Sequence, residues 1–258
     1  MCSAGLAAAA GATRRLSTGL VFLAGGTRTI DDFKRDVSTY FSHYNLKPGE
    51  IQVGLNALEA RMYGKHGRPG ARICVIGCGS GRDLLPFLSV GHEVVGIEAA
   101  PQPLDALRRE LADRGQHATL MQGFVEDAAI PGAFDLIILS PHCYSYIPGT
   151  ERRVAMLRRL AGHLTPDGRV AINFLRRTGT WSGIGVRLAG WAGTLTGSDC
   201  PWEPHDVVQL HGVGGRSAMT FEHYFLPSEV EAEVSRAGLR VVDAEVDDFL
   251  GPMTIAGR

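Results

Sequence analysis

Between residues 72 and 175 the chain alternates short apolar runs with segments of helical periodicity. The strand-like runs are Arg72 to Ile76, His92 to Ile97, Thr119 to Gly123 and Phe134 to Ser140. The helix-like segments are Leu84 to Val90, Leu104 to Leu111 and Glu151 to His163. Strands that alternate with helices form parallel sheets covered by helices on both faces, so the pattern predicts a doubly wound α/β fold.

Upstream of the first strand the pattern becomes purely helical. Apolar residues with a period of 3.6 are Ile51, Leu55, Leu58 and Met62. They predict an amphipathic helix over 48–62, and we interpret residues 31–66 as a helical cap in front of the sheet. The aromatic-rich segment 40–44 has two interpretations: it packs the cap against the core, or it forms a lid over a substrate pocket.

The first thirty residues have no such pattern. They contain no acidic residue, three arginines and many alanines and glycines. This composition predicts a disordered leader over 1–30, with a targeting segment as the alternative.

A second irregular stretch, residues 176–218, follows the apolar run at 170–175. It contains all three tryptophans of the chain, Trp181, Trp191 and Trp202, and many glycines. We interpret it as a partly helical lid over the substrate side of the fold. A helix lying on a membrane surface is the weaker alternative, because the segment is poor in basic residues.

Composition restricts the class of protein. A chain of 258 residues that is 45% hydrophobic can build one α/β domain with an appendage. Its formal net charge of −1 argues against a large nucleic-acid interface. No apolar stretch approaches 18 residues, so no membrane-spanning helix is expected. The five cysteines include no C-x-x-C pair, which favours a reducing cytoplasm over a disulfide framework.

The strongest chemical signal is a glycine-rich loop between the first strand and the first helix of the sheet. It reads Val75-Ile76-Gly77-Cys78-Gly79-Ser80-Gly81-Arg82-Asp83. Glycines let backbone N–H groups approach a ligand closely. Glu98 ends the next strand, 17 residues past Gly81, where a carboxylate can accept hydrogen bonds from both hydroxyls of a ribose. The phosphate-binding motif G-x-x-x-x-G-K-[ST] is absent, and the dinucleotide motif G-x-G-x-x-G would need glycine at Arg82.

With Glu98 and the later motifs, the loop resembles the first motif of the class I S-adenosylmethionine (SAM)-dependent methyltransferases. Phe134 to Ser140 resembles the fourth strand of that family, and Leu164 to Val170 resembles the turn before its fifth. The resemblance runs from 72 to 258, although Val75 stands where the family commonly has an acidic residue. It implies a Rossmann-like methyltransferase domain over 67–258, with a seven-stranded, mostly parallel sheet, the cap and a lid insertion after strand five.

The resemblance also implies which residues hold the cofactor, SAM. The implied cofactor-binding residues are Gly77, Cys78, Gly79, Gly81, Asp83, Glu98, Ala99, Phe124, Val125 and Ser140. At the position where the family commonly has an acidic residue for the adenine amino group, this chain has Phe124. Phe124 is therefore expected to pack on the adenine, with Glu126 or Asp127 as alternative polar partners.

Candidate catalytic residues follow the fourth strand, in the loop that lies nearest the transferred methyl in the resembling enzymes. His142 is the first candidate for a general base, because an unperturbed histidine has a pKa near 7. Tyr144 or Tyr146 would orient the acceptor. His223 matches a family histidine near the acceptor.

These observations predict a SAM-dependent methyltransferase that acts on oxygen or nitrogen of a small organic molecule. One alternative is a non-catalytic SAM-binding sensor or partner subunit, since binding does not prove turnover. A nicotinamide-dependent oxidoreductase is less favoured, because of Arg82 and the lack of a Tyr-x-x-x-Lys pair. The expected partner is a small-molecule acceptor, without nucleic acid or membrane; a homodimer is left open.

Overall fold

A seven-stranded sheet with helices on both faces forms the centre of the protein in a computed structural model, which describes residues 17–44, 53–179, 183–247 and 251–258. The strands are β1 (Arg72–Ile76), β2 (Glu93–Glu98), β3 (Thr119–Gln122), β4 (Phe134–Leu139), β5 (Leu164–Asn173), β6 (Asp206–Val213), β7 (Arg216–His223), β8 (Arg240–Asp247) and β9 (Gly251–Gly257). The helices are α1 (residues 17–26), α2 (Ile30–Tyr44), α3 (Ala57–His66), α4 (Leu84–Ser89), α5 (Pro101–Asp113), α6 (Thr150–Gly162), α7 (Ile184–Thr196) and α8 (Pro227–Arg236).

The strand order of the large sheet is β3-β2-β1-β4-β5-β9-β8. β9 runs antiparallel to β5 and β8, and the other neighbouring strands of this sheet are parallel. The order reverses between β1 and β4, where Ile76 pairs with Leu139 at the carboxyl edge of the sheet. Ligands of doubly wound sheets bind at such a switch point. The predicted fold class is confirmed.

Helices cover the sheet with two apolar layers. Side chains of β1, β4 and β5 alternate between the layers, since neighbouring residues of a strand point to opposite faces. Ile137 and Leu139 pack towards α6, whereas Leu136 and Ile138 pack with residues of α3 and α5. The central strands are therefore buried on both sides, as their continuous apolar runs predicted.

The cap differs from its predicted boundaries. The predicted helix covered 48–62, whereas α3 begins at Ala57. Residues 45–52 lie outside the described residues. Gly54 has a φ of +62°, which breaks the helix there. Asn56 then caps α3: its Oδ1 accepts a hydrogen bond from the Glu59 N–H at 2.9 Å, and Glu59 Oε2 accepts one from the Asn56 N–H at 2.8 Å.

The prediction of a disordered leader is wrong for residues 17–30. Residues 17–26 form α1, and Phe22 and Ile30 are buried. The Phe22 ring centre lies 6.4 Å from that of Trp202, in a small apolar core shared by the cap and the insertion. Residues 1–16 lie outside the described part of the chain.

The insertion contains a helix and a β-hairpin. Its many glycines did not prevent α7, whose buried face consists of the small residues Ala189, Ala192 and Gly193. These small side chains let α1 approach closely: a Cβ on Gly26 would collide with the Ala189 backbone. The hairpin of β6 and β7 packs beside α2, and the Met219 N–H donates to Asp36 of α2 at 2.9 Å. Trp181 lies outside the described residues. No helix in the described ranges is long and apolar enough to cross a bilayer.

Candidate active site

A cavity of about 690 Å³ opens at the carboxyl ends of the central strands, beneath α2. The loops after β1, β2 and β4 form its floor, and the residues of α2 that line it recur at helical spacing. The α2 residues are Ile30, Phe33, Lys34, Val37, Tyr40 and Phe41. Since Tyr40 and Phe41 face the cavity, the lid interpretation of the aromatic segment fits better than simple core packing.

The glycine loop shapes one wall of the cavity. The N–H groups of Gly77 and Cys78 both donate to the Ile97 carbonyl, at 2.8 and 3.1 Å, which bends the chain directly after β1. Gly77 has a φ of +74°, and a Cβ there would collide with Cys143 Sγ. This position therefore requires glycine for conformation and for space. The bare backbone of Gly77 faces the cavity.

Glu98 lines the cavity at the end of β2. Its Oε2 accepts a hydrogen bond from the Gly79 N–H at 2.8 Å, and its Oε1 accepts one from the Ala100 N–H at 2.8 Å. Burial raises the pKa of this carboxyl, and the backbone donors oppose that rise. Each carboxylate oxygen has a second lone pair, so both can still accept hydrogen bonds from a ligand.

Not every glycine of the motif reaches the cavity. Gly79 and Gly81 do not line it, in contrast to the prediction for both. The Gly79 N–H is taken by Glu98, and Gly81 packs against Leu85 and Leu107. Their role is to shape the loop. The other predicted cofactor-binding residues, Gly77, Cys78, Asp83, Glu98, Ala99, Phe124, Val125 and Ser140, all line the cavity.

Arg82 ties the cap to the loop. Its guanidinium donates to both carboxylate oxygens of the fully buried Glu59, at 2.7 and 2.9 Å, and to the Gly54 carbonyl at 3.1 Å. It also forms an ion pair with Asp83, which lines the cavity. Arg82, which stands where the dinucleotide-binding motif would require glycine, therefore anchors α3.

Phe124 marks the opposite end of the cavity, after β3. Lys34 of α2 lies over its ring, 5.1 Å from the centre. The Lys34 ammonium pairs with Asp127 at 2.8 Å and with Glu126 at 3.6 Å, and Glu126 also pairs with Arg152. Both carboxylates proposed as alternative adenine partners are thus already occupied by cations.

His142 lies in the loop after β4 and lines the cavity. It adopts a left-handed conformation with a φ of +69°, which is uncommon for a residue other than glycine. Its backbone N–H donates to Asn173 Oδ1 at 3.3 Å. Burial and the nearby positive charge of Arg82 lower the pKa of the imidazole, so it is neutral and able to accept a proton at pH 7.

Tyr144 and His223, two predicted catalytic residues, do not line the cavity. Tyr144 is buried behind it, where its hydroxyl donates to Glu233 and its ring stacks on Phe225. His223 makes an edge-to-face contact with Phe225, with ring centres 4.4 Å apart. The alternative tyrosine, Tyr146, does line the cavity. The turn after β4 sets the position of Tyr144, and the hairpin sets that of His223. The linear sequence motif does not show either position.

His223 belongs to a second polar cluster, with Asp206 and Glu203, whose ligand-type atoms lie within 4.8 Å of one another. His223 Nδ1 lies 2.6 Å from Asp206, and burial moves their pKa values to about 4 and about 8, which favours an uncharged pair. Glu203 accepts from the Thr150 N–H at 2.7 Å and from Arg153 at 2.9 Å. These bonds join the segment just before β6 to α6, and the adjacent guanidinium opposes binding of a metal cation.

The sequence motifs did not point to Asn173, the buried last residue of β5, which lines the cavity. The rule that ligands meet the carboxyl ends of strands applies to it as it does to Ser140. The cavity-lining residues of α2 carried no separate signal, since their helical spacing is also that of ordinary core packing.

Residues 75–170 match a family model described as a methyltransferase domain. Among curated proteins, a cypemycin N-terminal methyltransferase from a Streptomyces species is 29% identical over 99 residues, which are 38% of this chain and 40% of that protein. A ubiquinone biosynthesis O-methyltransferase from Xanthomonas euvesicatoria is 25% identical over 176 residues, 67% of this chain and 64% of that protein. The chain thus spans 40% and 64% of the length of these two relatives.

Solved structures of methyltransferases share the fold. A SAM-dependent methyltransferase from Clostridium acetobutylicum superposes with a TM-score of 0.59 at 11% identity, covering 81% of this chain and 94% of that one. The SAM-bound amino pentose methyltransferase CalS10 from Micromonospora echinaspora gives a TM-score of 0.55 at 19% identity, covering 77% and 88%. At such identities the likeness concerns the fold alone.

Proposed function

We propose that this chain, which is similar to class I SAM-dependent methyltransferases as its sequence predicted, transfers a methyl group from SAM to oxygen or nitrogen of a small organic molecule. The observation that carries the proposal is the cavity itself, which joins the glycine loop and Glu98 to the loop of His142.

The lining of the cavity fits SAM at four points. Glu98 has free lone pairs for the ribose hydroxyls, and Phe124 offers a ring face for the adenine. The backbone of Gly77 lines the cavity, and a Cβ at this position would displace Cys143. Ser140 Oγ is buried at the cavity wall without a hydrogen-bond partner among the described residues, and the methionine end of the cofactor carries polar groups that could bond to it.

SAM would supply a methyl group already activated by the positive sulfonium. The protein then has to align the acceptor, exclude water and, for an acceptor that carries a proton, remove it. Residues of α2 line the cavity and shield part of it from water. His142 is the proposed proton acceptor, because it lines the cavity and its lowered pKa keeps it neutral at pH 7.

Activity is tested by measuring S-adenosylhomocysteine released from SAM with a panel of phenol, alcohol and amine acceptors. We expect turnover with at least one class, and a 10²–10⁴-fold lower kcat for His142→Ala on acceptors that must lose a proton. Since the pKa of His142 is lowered, the rate should rise with pH at a midpoint below 6.5 and be flat above pH 7.

SAM binding without turnover on any acceptor would instead support the non-catalytic sensor. A normal rate in the alanine variant, with an unchanged pH profile, would eliminate His142 as the base.

The cofactor assignment has its own test. Glu98→Ala removes the acceptor of two ribose hydrogen bonds, each worth roughly 1.5–3 kcal/mol when charge-assisted, so SAM affinity should fall at least about tenfold. Titration calorimetry measures this, and a thermal melt must show that the variant is folded, because Glu98 also holds the loop N–H groups. Unchanged affinity would move the ribose elsewhere.

Location and assembly stay predictions. The four described cysteines, Cys74, Cys78, Cys143 and Cys200, are free thiols, which agrees with the proposed cytoplasmic location. The proposed partner is a small-molecule acceptor, without nucleic acid, and a homodimer is left open. Cell fractionation tests the location, and light scattering tests the oligomeric state.

A further inference from the structure

The carboxyl edge of the sheet arranges the site in a fixed order. Glu98 ends β2, Gly77 follows β1, Ser140 follows β4 and Asn173 ends β5. Adjacent strands are about 4.8 Å apart, so these residues form a row about 14 Å long. With Phe124 beyond β2 on the side of β3, the row runs from the proposed adenine end to Asn173. Asn173 therefore lies at the acceptor end.

The orientation of the Asn173 amide is fixed by its neighbour. Its Oδ1 accepts from the His142 backbone N–H at 3.3 Å, and only an oxygen can accept there. The Nδ2 group is consequently left as a donor, and it donates to no residue in the part of the chain that the structure describes. The residue is only 3% exposed and lines the cavity. Its amide donor is therefore available to an oxygen atom of a ligand in the cavity.

Aromatic side chains line the cavity beside the turn that follows β4 and ends at Tyr146. They are Tyr40, Phe41 and Tyr146, with ring centres 5.0 Å apart for Tyr40 and Phe41 and 5.4 Å apart for Phe41 and Tyr146. Aromatic faces and edges of this kind bind planar rings in offset or edge-to-face contacts.

Each carboxylate of the described cavity lining already has a partner. These carboxylates are Asp83, Glu98 and Glu126, and Glu98 accepts from the Gly79 and Ala100 N–H groups. Asp83 pairs with Arg82, and Glu126 pairs with Lys34 and Arg152. A buried ammonium without a counter-charge is costly, so an uncharged acceptor suits this end better than a protonated amine.

We propose that the acceptor is a planar, uncharged hydroxyl compound of the phenol class, and that Asn173 Nδ2 donates a hydrogen bond to its reactive oxygen. The proposal rests on the methyltransferase function proposed above. The hydroxyl proton passes to the neutral His142 imidazole. An oxygen lone pair forms the new bond to the methyl carbon while the carbon–sulfur bond breaks, leaving its electron pair on sulfur. The products are a methyl ether, S-adenosylhomocysteine and an imidazolium, which returns its proton to water.

Asn173→Asp tests the donor without removing the support of His142. An aspartate oxygen can still accept from the His142 N–H, but the cavity loses its donor and gains a negative charge. The control Gln122→Glu makes the same change of amide to carboxylate at the end of β3, on an exposed residue outside the cavity lining. Matched probes are phenol against aniline and catechol against 1,2-phenylenediamine. The measurements are kcat and KM from S-adenosylhomocysteine release, and probe affinity by calorimetry with S-adenosylhomocysteine bound.

We expect the wild-type protein to methylate the hydroxyl probes in preference to the amines. Asn173→Asp should lower kcat/KM and binding for the hydroxyl probes by roughly 10- to 100-fold, while amine probes lose less than threefold or gain. Gln122→Glu should change neither. The inference is overturned by a wild-type preference for amines, or by equal losses on both sets of probes in the aspartate variant. A protein that binds no SAM would refute the proposed function itself, whereas one that binds SAM and methylates amines would refute this inference alone.

Discussion

Replacing Glu59 by alanine should measure how strongly the cap is tied to the glycine loop. Glu59 is fully buried and receives two hydrogen bonds from the Arg82 guanidinium, as well as one from the Asn56 N–H. Removing one partner of a buried ion pair typically costs about 3–5 kcal/mol, because the other charge stays buried. Asp83 still offsets part of the Arg82 charge, so we expect the lower end, about 3 kcal/mol.

The loss should be visible in chemical and thermal unfolding. For a chain of this size 1 kcal/mol shifts Tm by about 2–4 °C, so Glu59→Ala should lower Tm by about 6–12 °C. The control Glu110→Ala removes the exposed pair with Arg114 within α5 and should cost less than about 0.5 kcal/mol. If Glu59→Ala costs no more than this control, the Arg82 contact does not anchor the cap and our reading of this residue fails.

Three further substitutions test individual contacts. Gly77→Ala should abolish SAM binding in calorimetry, because φ is positive and the new Cβ would collide with Cys143. The control Gly115→Ala, also at positive φ but with open space around it, should bind SAM normally. Equal binding by both variants would disprove the argument that position 77 has no room for a side chain. Tyr144→Phe should lower stability by roughly 1–3 kcal/mol while SAM affinity and KM stay within twofold, because its hydroxyl bonds to Glu233 and not to the cavity; a selective loss of kcat would return Tyr144 to the active site. Phe22→Ala should destabilise the protein by about 3–5 kcal/mol in denaturant titrations, since the ring is buried against Trp202; no effect would restore the leader interpretation of this segment.

The sequence predicted the features that depend on local pattern. The bounds of β1 and the position of Glu98 at the end of β2 follow from short apolar runs that end at a glycine or an acidic residue. A doubly wound sheet then brings these ends to one edge by topology alone. This is why most of the predicted cofactor-binding residues line one cavity.

The remaining features depend on contacts between distant segments. Phe22 reads as part of an alanine- and glycine-rich leader until its partner Trp202, far along the chain, is known. Tyr144 and Tyr146 are two residues apart in a turn, yet one faces Glu233 and the other the cavity. His223 matched a family position, but its strand turns it towards Asp206. None of these orientations is encoded in periodicity or spacing.

A crystal structure of the protein with S-adenosylhomocysteine would test the central claim most directly. We expect the ribose hydroxyls within hydrogen-bonding distance of the Glu98 carboxylate and the adenine against Phe124. The sulfur should lie between Gly77 and the loop of His142, directed towards Asn173. A ligand bound outside this cavity, or bound in it with the ribose away from Glu98, would contradict the account.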